Sequence, residues 1–514
     1  MRGDREHPMI AEMIETGYTG RKGKGGFYRL NRDGGKKVKE AKSLQTGDYA
    51  PANRKVQMKS ISAGRKGIGA VIATDDKGGA YAKATLLDVL SYSAALVPEI
   101  ADTILGVDDA MKWGYAWKKG PFEMIDDIGA DVFAGLLKEA GRDVPPLLQK
   151  AVEAGSFYKI EDGTRYYLDT DGKWQQIERP DSVLLLSDIK LKSEPVEKNG
   201  SACLWDIGDG VLCLEFTSKM NSIDEGIMKM IGKAIQHCSK GDPYKALVVY
   251  NEGSNFSVGA NLGVALFALN IALYPQIEQS VAGGQATYKA LKHAPFPVVG
   301  APSGMALGGG CEILLHCDSV QAHAESYIGL VEVGVGLIPG WGGCKEMVQR
   351  HITNKKRAGG AMPALQRAFQ TIGMAEVAKS ADEAKSALFL RAEDGITMNR
   401  DRLLADAKAK ALSMVEGYTS PEPIEVNLPG ESAQLLFDQA VSGFHASGKA
   451  TAHDVTVSAA LSAVLTGDGT DITETLTEDD LLKLEVKHFM NLVRTEGTVA
   501  RIEHMLETGR PLRN

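Results

Sequence analysis

Two glycine-rich loops and two glutamates stand out as residues whose types and spacing can do chemistry. NFSVGAN (255–261) follows the apolar run ALVVY (246–250), and GMALGGGCE (304–312) follows PVVGAPS (297–303). A glycine loop leaving an apolar strand lets the backbone approach a ligand closely. Two such loops in one domain can aim two N–H groups at a single carbonyl oxygen, at about 2.7–3.1 Å, each contributing roughly 3 kcal/mol to a transition state. The same glycines equally suit tight strand-to-helix turns. Glu312 directly follows the triple glycine, and Glu332 lies in YIGLVEVGVGLIPGWGG (327–343). Carboxyl groups flanked by Cys311 and Ile313, or by Val331 and Val333, are poorly solvated, which raises their proton affinity and suits general acid or base work. A glutamate in such a run also fits a helix surface or an ion pair. The glycine-rich GVGLIPGWGG after Glu332 can open a helix whose N-terminal N–H groups favour a nearby anion.

The elements that must carry these residues follow from the pattern along the chain. ACLWDIGDGVLCLEF reads as two alternating strands around Gly208-Asp209-Gly210, followed by a helix over IDEGIMKMIGKAI and the buried strand 246–250, which together form a layered α/β domain. After Gly343 the chain turns predominantly helical. Towards the N-terminus, LLDVLSYSAALVPEIADTIL and VDDAMKWG have helical spacing, and SFYKIEDGTRYYLDTDGKWQQI alternates around Asp-Gly turns as β-hairpins do. Residues 36–85, rich in Lys, Gly, Ala and Asp, read as a polar connection, with a helix over part of it as the alternative.

Composition removes several alternatives. The chain has 514 residues, room for about three domains at roughly 150 residues each. Lys plus Arg number 58 and Asp plus Glu 66, a net charge of −8 that argues against nucleic acid or an anionic membrane as the main partner. Six cysteines without a Cys-x-x-Cys pair fit reduced thiols rather than a disulfide framework or a zinc site, so no metal is expected. The charged start MRGDREHPMIAEMI lacks the apolar run of a signal peptide, so the expected location is the cytoplasm. Residues 253–277 carry no charge, but Asn255, Asn261 and Asn270 argue against a membrane span and for a glycine loop entering a buried helix. No strand-linked G-x-G-x-x-G and no Walker A loop occurs, and Ser257 is not in a G-x-S-x-G context.

NFSVGANL, PVVGAPSGMALGGGCEILLHCD and SYIGLVEVGVGLIPGWGG, in this order and spacing, resemble the crotonase (enoyl-CoA hydratase/isomerase) superfamily over about residues 200–350. ADTILGVDDAMKWGYAWKKGPFEMIDDIG is similar to the C-terminal helical domain of 3-hydroxyacyl-CoA dehydrogenases, and GYTGRKGKGGFYRL resembles the end of an earlier copy of that domain. ARIEHMLETGRPLRN is like the end of bacterial multifunctional fatty-acid β-oxidation proteins, in which an NAD-binding domain comes first; this chain begins near the end of the first helical copy.

The resemblance implies an α/β crotonase-type ββα spiral domain, preceded by an all-α dehydrogenase C-terminal-like domain and followed by a helical C-terminal region. The expected boundaries are 1–35, the end of a first dehydrogenase-like domain; 36–85, a linker; 86–155, a second helical domain; 156–198, a β-rich connection; 199–375, the crotonase core; and 376–514, the helical region. The implied activity is hydration of a trans-2-enoyl-CoA to a 3-hydroxyacyl-CoA. Double-bond isomerisation and a role as a CoA-binding assembly subunit remain as alternatives.

By the same resemblance Ala260 and Gly309 supply the oxyanion N–H groups, Glu312 acts mainly on water and Glu332 mainly on the C2 proton. Val258, Asn261, Leu262 and Gly308 contact the CoA substrate, the family's more usual aspartate being Asn261 here, and Gly340 is the helix-start glycine near the water. Hydration needs no bound cofactor beyond the CoA of the substrate, and NAD is not expected on this chain. Its implied partners are an acyl-CoA and either further copies of itself or a dehydrogenase half.

Overall fold

A computed structural model describes residues 7–32, 35, 37–53, 56–354 and 360–514. The chain divides into two compact units, Met1–Glu161 with Arg165–Ile177, and Asp162–Thr164 with Glu178–Asn514.

The first unit is helical with two small sheets. Strands Tyr28–Asn31, Val38–Lys42 and Tyr49–Pro51 form an antiparallel sheet, across which Arg29 Nε meets Glu40 Oε2 at 2.7 Å. Helices Lys77–Leu96, Ile104–Tyr115, Pro121–Ile128, Ala130–Glu139 and Pro146–Ala154 bury Leu90, Phe122, Phe133, Leu137 and Leu148 in one core with Phe157. The expected polar connection at 36–85 thus holds two strands and the start of a 20-residue helix, because its lysines point outward from elements that bury little. The hairpin expected from SFYKIEDGTRYYLDTDGKWQQI forms as strands Tyr158–Glu161, Thr164–Leu168 and Trp174–Gln176.

The second unit is built on a seven-stranded sheet. Its strands are β1 (Glu197–Lys198), β2 (Ala202–Asp206), β3 (Val211–Phe216), β4 (Ala246–Tyr250), β5 (Val298–Ala301), β7 (Ser319–His323) and β10 (Gly395–Thr397), in the spatial order β10-β7-β5-β4-β3-β2-β1. From β3 to β10 neighbouring strands are parallel, whereas β1, β2 and β3 pair antiparallel. Side chains alternate between two cores, as the two-residue strand period requires. Leu212, Leu214, Leu247 and Val249 enter one core, and Val211, Cys213, Ala246, Val248 and Tyr250 enter the other. A sheet covered on both faces explains the unbroken apolar run ALVVY.

Helix α1 (Glu225–Cys238), capped by Asp224, covers the first face, with α2 (Leu262–Asn270), α3 (Tyr274–Lys292), α4 (Gly309–Leu315), α5 (Gly343–Ile352) and α6 (Ala361–Gly373). Helix α7 (Leu403–Ser413) covers the second through Leu403, Leu404, Ala407 and Ala411. The core expected to end at 375 therefore extends to α7, since β10 pairs with β7 and α7 closes the far face. Helices α8 (Glu431–Ala446), α9 (Ala452–Thr466), α10 (Glu478–Val493) and α11 (Glu496–Thr508) complete the unit. A smaller sheet orders β6 (Met305–Leu307), β8 (Tyr327–Gly329) and β9 (Val377–Ala378).

The expectation for residues 253–277 changes. The helix after Asn261 is not buried: Val264 is 63% and Phe267 65% exposed, with only Leu269 enclosed. The segment also breaks into α2 and α3 at Ala272, which takes a positive φ of 56°. No helix among the described residues is long and apolar enough to cross a membrane.

A buried charge network ties α3, α5 and α10 together. Lys345 Nζ lies 2.6 Å from Glu346 Oε1, 2.7 Å from Glu478 Oε1 and 3.1 Å from His316 Nε2. Lys292 Nζ lies 2.5 Å from the same Glu346 oxygen. Two ammoniums thus face two carboxylates, which makes burial tolerable only while the set is complete. Burial pushes the Glu478 carboxyl up, but the Lys345 and Lys292 charges outweigh it and hold it down to about 2. Its stabilisation is therefore present above the ordinary glutamate range and is lost as pH falls toward 2. Glu478→Ala leaves both ammoniums sharing Glu346, and an expected loss of about 3–5 kcal/mol in the stability of this unit can be read by denaturant unfolding at neutral pH.

Candidate active site

The two glycine loops leave the carboxyl ends of neighbouring parallel strands, β4 and β5, the place where α/β sheets gather ligands. They touch. Ser257 N donates to Met305 O at 2.9 Å and Leu307 N to Ser257 O at 2.9 Å, so the first loop runs alongside β6. A side-chain carbon on Gly259 would fall 2.8 Å from Leu307 O and 3.1 Å from Gly309 N, and one on Gly310 would fall 2.6 Å from Ser257 O. These glycines are needed because two backbones approach where no Cβ fits.

The parallel pairing of β6 with β8 brings the carboxyls to one place. Leu307 is in register with Gly329, so Gly308 to Glu312 and Leu330 to Glu332 leave the small sheet on the same side. Gly308 N donates to Gly329 O at 2.9 Å. Gly308 adopts φ 54°, and a Cβ there would lie 3.3 Å from Glu332 Oε1. Gly309 opens α4, so its N–H is among the helix-start donors that have no intrahelical acceptor.

Glu312 is 2% exposed, and its Oε1 accepts hydrogen bonds from Trp341 N at 2.7 Å and Gly343 N at 2.9 Å. Burial and the charge of Glu332 push its proton affinity well up, while the two amides pull it back. Glu332 begins a 3-10 turn, and both its carboxylate oxygens are buried without a hydrogen-bond partner. Burial pushes Glu332 up to about 7, with its own amide and that of Val331 tempering the shift and the Glu485 charge adding to it. A buried polar atom without a protein partner costs free energy until a water, an ion or a ligand meets it.

Other expected residues take simpler places. Asn261 is exposed and caps α2, accepting from Gly263 N at 3.1 Å and Val264 N at 3.3 Å. Ala260 is exposed beside it, and Val258 and Leu262 are half-buried. Gly340 does not start the helix, because α5 begins at Gly343. A Cβ on Gly340 would meet Phe489 of α10 at 2.9 Å, and its carbonyl accepts from Gln285 Nε2 at 3.0 Å.

Three residues beyond those read from the sequence complete the site. Glu485 of α10 is fully buried and accepts from Gly342 N at 2.7 Å and Lys345 N at 2.8 Å. His316 donates from Nδ1 to Glu312 O at 2.7 Å and accepts from Lys345, its imidazole held neutral by burial and the Lys345 charge. The Trp341 indole packs over Gly309 and against α3, edge-on to Tyr288 at 5.8 Å. The sequence signals available were a glutamate and a histidine inside apolar runs and a tryptophan between glycines. None of these named its partner. Among the described residues no cluster of His, Cys, Asp and Glu is arranged to hold a metal ion, and all six cysteines are free and buried.

Gly284 is where the indole needs room, since a Cβ there would lie 2.3 Å from Trp341 Nε1. Gly284→Ala is expected to displace the ring and cost about 1–3 kcal/mol, measured as a lower unfolding midpoint together with a shifted tryptophan emission.

Residues 206–372, which contain both loops and both glutamates, match the family model Enoyl-CoA hydratase/isomerase. Over 98% of its length the chain is 36% identical to a "Probable 3-hydroxyacyl-CoA dehydrogenase" of Bacillus subtilis (strain 168), of which it covers 64%. Over 82% of its length it is 32% identical to a "Putative fatty acid oxidation complex trifunctional enzyme" of Rickettsia felis, of which it covers 53%. The chain therefore spans less than two thirds of these curated relatives. Among solved structures, the enoyl-CoA hydratase of Bacillus halodurans aligns with 59% of this chain and 99% of its own, at 15% identity and a TM-score of 0.41. The stretch from 206 to 372, which holds both loops and both glutamates, is thus similar to the enoyl-CoA hydratase/isomerase family, in a chain similar to a 3-hydroxyacyl-CoA dehydrogenase and to a fatty acid oxidation complex trifunctional enzyme.

Proposed function

We propose that the chain is an enoyl-CoA hydratase, adding water across the double bond of a trans-2-enoyl-CoA to give a 3-hydroxyacyl-CoA. The observation that carries this reading is the asymmetry of the two buried carboxyls. Glu312 accepts hydrogen bonds from two amides, whereas no hydrogen bond reaches the Glu332 oxygens, on which only its own amide and that of Val331 act from farther away. Donors favour the charged form, and on that ground Glu312, although burial and the Glu332 charge push its proton affinity up, is taken as the carboxylate of the pair and Glu332 as the acid. Glu312 takes a proton from water as the oxygen bonds to C3, and Glu332 gives its proton to C2. The N–H groups of Ala260 and Gly309 hold the thioester oxygen as negative charge develops on it. Val258, Asn261, Leu262 and Gly308 line the approach of the CoA moiety. The substrate brings its own CoA, and the reaction needs no further cofactor. NAD-linked oxidation of 3-hydroxyacyl-CoA is not expected from this chain by itself, which an assay for NADH production by the pure protein checks.

Isomerisation of a 3-enoyl to a 2-enoyl thioester is the second reading. It is favoured by the unbonded oxygens of Glu332, which are free to carry a proton between carbons.

Purified protein is expected to remove the enoyl-thioester absorbance of crotonyl-CoA, and Glu332→Gln to lower the rate by about 10²–10⁴-fold. No absorbance loss with the wild type overturns the hydratase reading. Glu312→Ala is expected to abolish hydration and keep isomerisation of a 3-enoyl-CoA; loss of both removes the division of roles. For the wild type, kcat/KM is expected to fall on the alkaline side, because loss of the shared proton removes the donor to C2, and a pH–rate profile checks this.

A further inference from the structure

The amides at the start of α5 are divided between two carboxylates. Glu312 holds those of Trp341 and Gly343, and Glu485 holds those of Gly342 and Lys345. Glu485 sits on α10, outside the stretch that matches the hydratase/isomerase family. The same helix meets the loop twice more: Phe489 fills the space beside Gly340, and Gln285 bridges Gly340 O and Leu482 O at 3.0 Å each. Gly342 takes φ 95°, which glycine adopts without strain, and a Cβ there would fall 2.8 Å from His316 Nε2.

We infer that Glu485 is a positioning residue for the proposed hydration: it clamps residues 340–345 so that the Trp341 and Gly343 amides meet Glu312, and its charge sets how firmly the Glu312–Glu332 pair keeps its shared proton. This rests on the hydratase reading of the same site. Glu485 is faced by the carboxyls of Glu312 from α4 and Glu332 from the 3-10 turn, and by the Cys344 thiol and Lys345 ammonium from α5. Behind Lys345 lie Glu346, Lys292 of α3, His316 of α4 and Glu478 of α10 itself. Burial and the Glu312 charge push Glu485 up to about 8, against the pull of its two amides and Lys345. Once ionised, it makes the pair's last proton harder to remove, which holds the alkaline limb of the reaction at higher pH.

The test compares wild type, Glu485→Gln and Glu485→Asp in two assays: pH profiles of kcat and KM for crotonyl-CoA hydration, and amide hydrogen exchange of the segment containing 340–348. Glu485→Gln is expected to lower kcat by about tenfold or more with KM within about twofold, since small misplacements cost rate rather than binding. Its alkaline limb moves to lower pH. Glu485→Asp keeps the charge and so keeps the limb while lowering kcat. Both variants speed exchange in the segment by about tenfold. Unchanged kcat in both, or lower kcat with an unmoved limb in Glu485→Gln, overturns the inference. If Glu485→Gln does not fold, Glu485→Asp with wild-type kcat and exchange overturns it. If the wild type does not hydrate crotonyl-CoA, the proposed function falls, and the exchange arm alone decides the clamp.

Discussion

The structure of the site depends on one constraint: a helix start buried away from water must have its free N–H groups satisfied. At α5 the N–H groups of residues 341, 342, 343 and 345 are taken up by two buried carboxylates. This single arrangement fixes where Glu312 points, gives it the donors that stabilise its charge, and requires α10 to lie close enough for Glu485 to reach. The Glu332 oxygens, buried in the same site, accept no hydrogen bond. Two chemically identical side chains thus differ in their hydrogen-bond donors.

The ionic network behind the loop follows from the same constraint. With Glu485 committed to amides, Lys345 turns to Glu346 and Glu478, and Lys292 completes the charge balance. Glu478 and Glu485 lie seven residues apart on α10 and so share the face turned inward. One helix from the C-terminal region thereby supplies both the amide clamp and half of the buried anions. The C-terminal helices are part of the site's framework, and the α/β sheet with its loops is only the other part.

Much of the local architecture was legible before any coordinates. The alternation in ACLWDIGDGVLCLEF and the unbroken ALVVY placed strands because side-chain periodicity is a local consequence of backbone geometry. The polar stretch 36–85 misled, since its short strands, among them the lysine-bearing Val38–Lys42, carry little hydrophobic signal. So did the apolar sequence after Asn261. Val264 and Phe267 are exposed, and apolar composition alone does not say whether a partner covers a face.

For the site, the residues themselves announced the glycine loops and the two glutamates in apolar company. Close backbone approach and poor solvation are properties of the residue and its immediate neighbours. What only the tertiary structure decided was which groups meet. The reach of α10 to the 340–345 loop spans some 140 residues of chain, and the fit of Trp341 against Gly309 and Gly284 joins three separate elements. Such pairings arise from how helices pack around the sheet. The amides that meet Glu312 lie outside the local sequence of either glutamate.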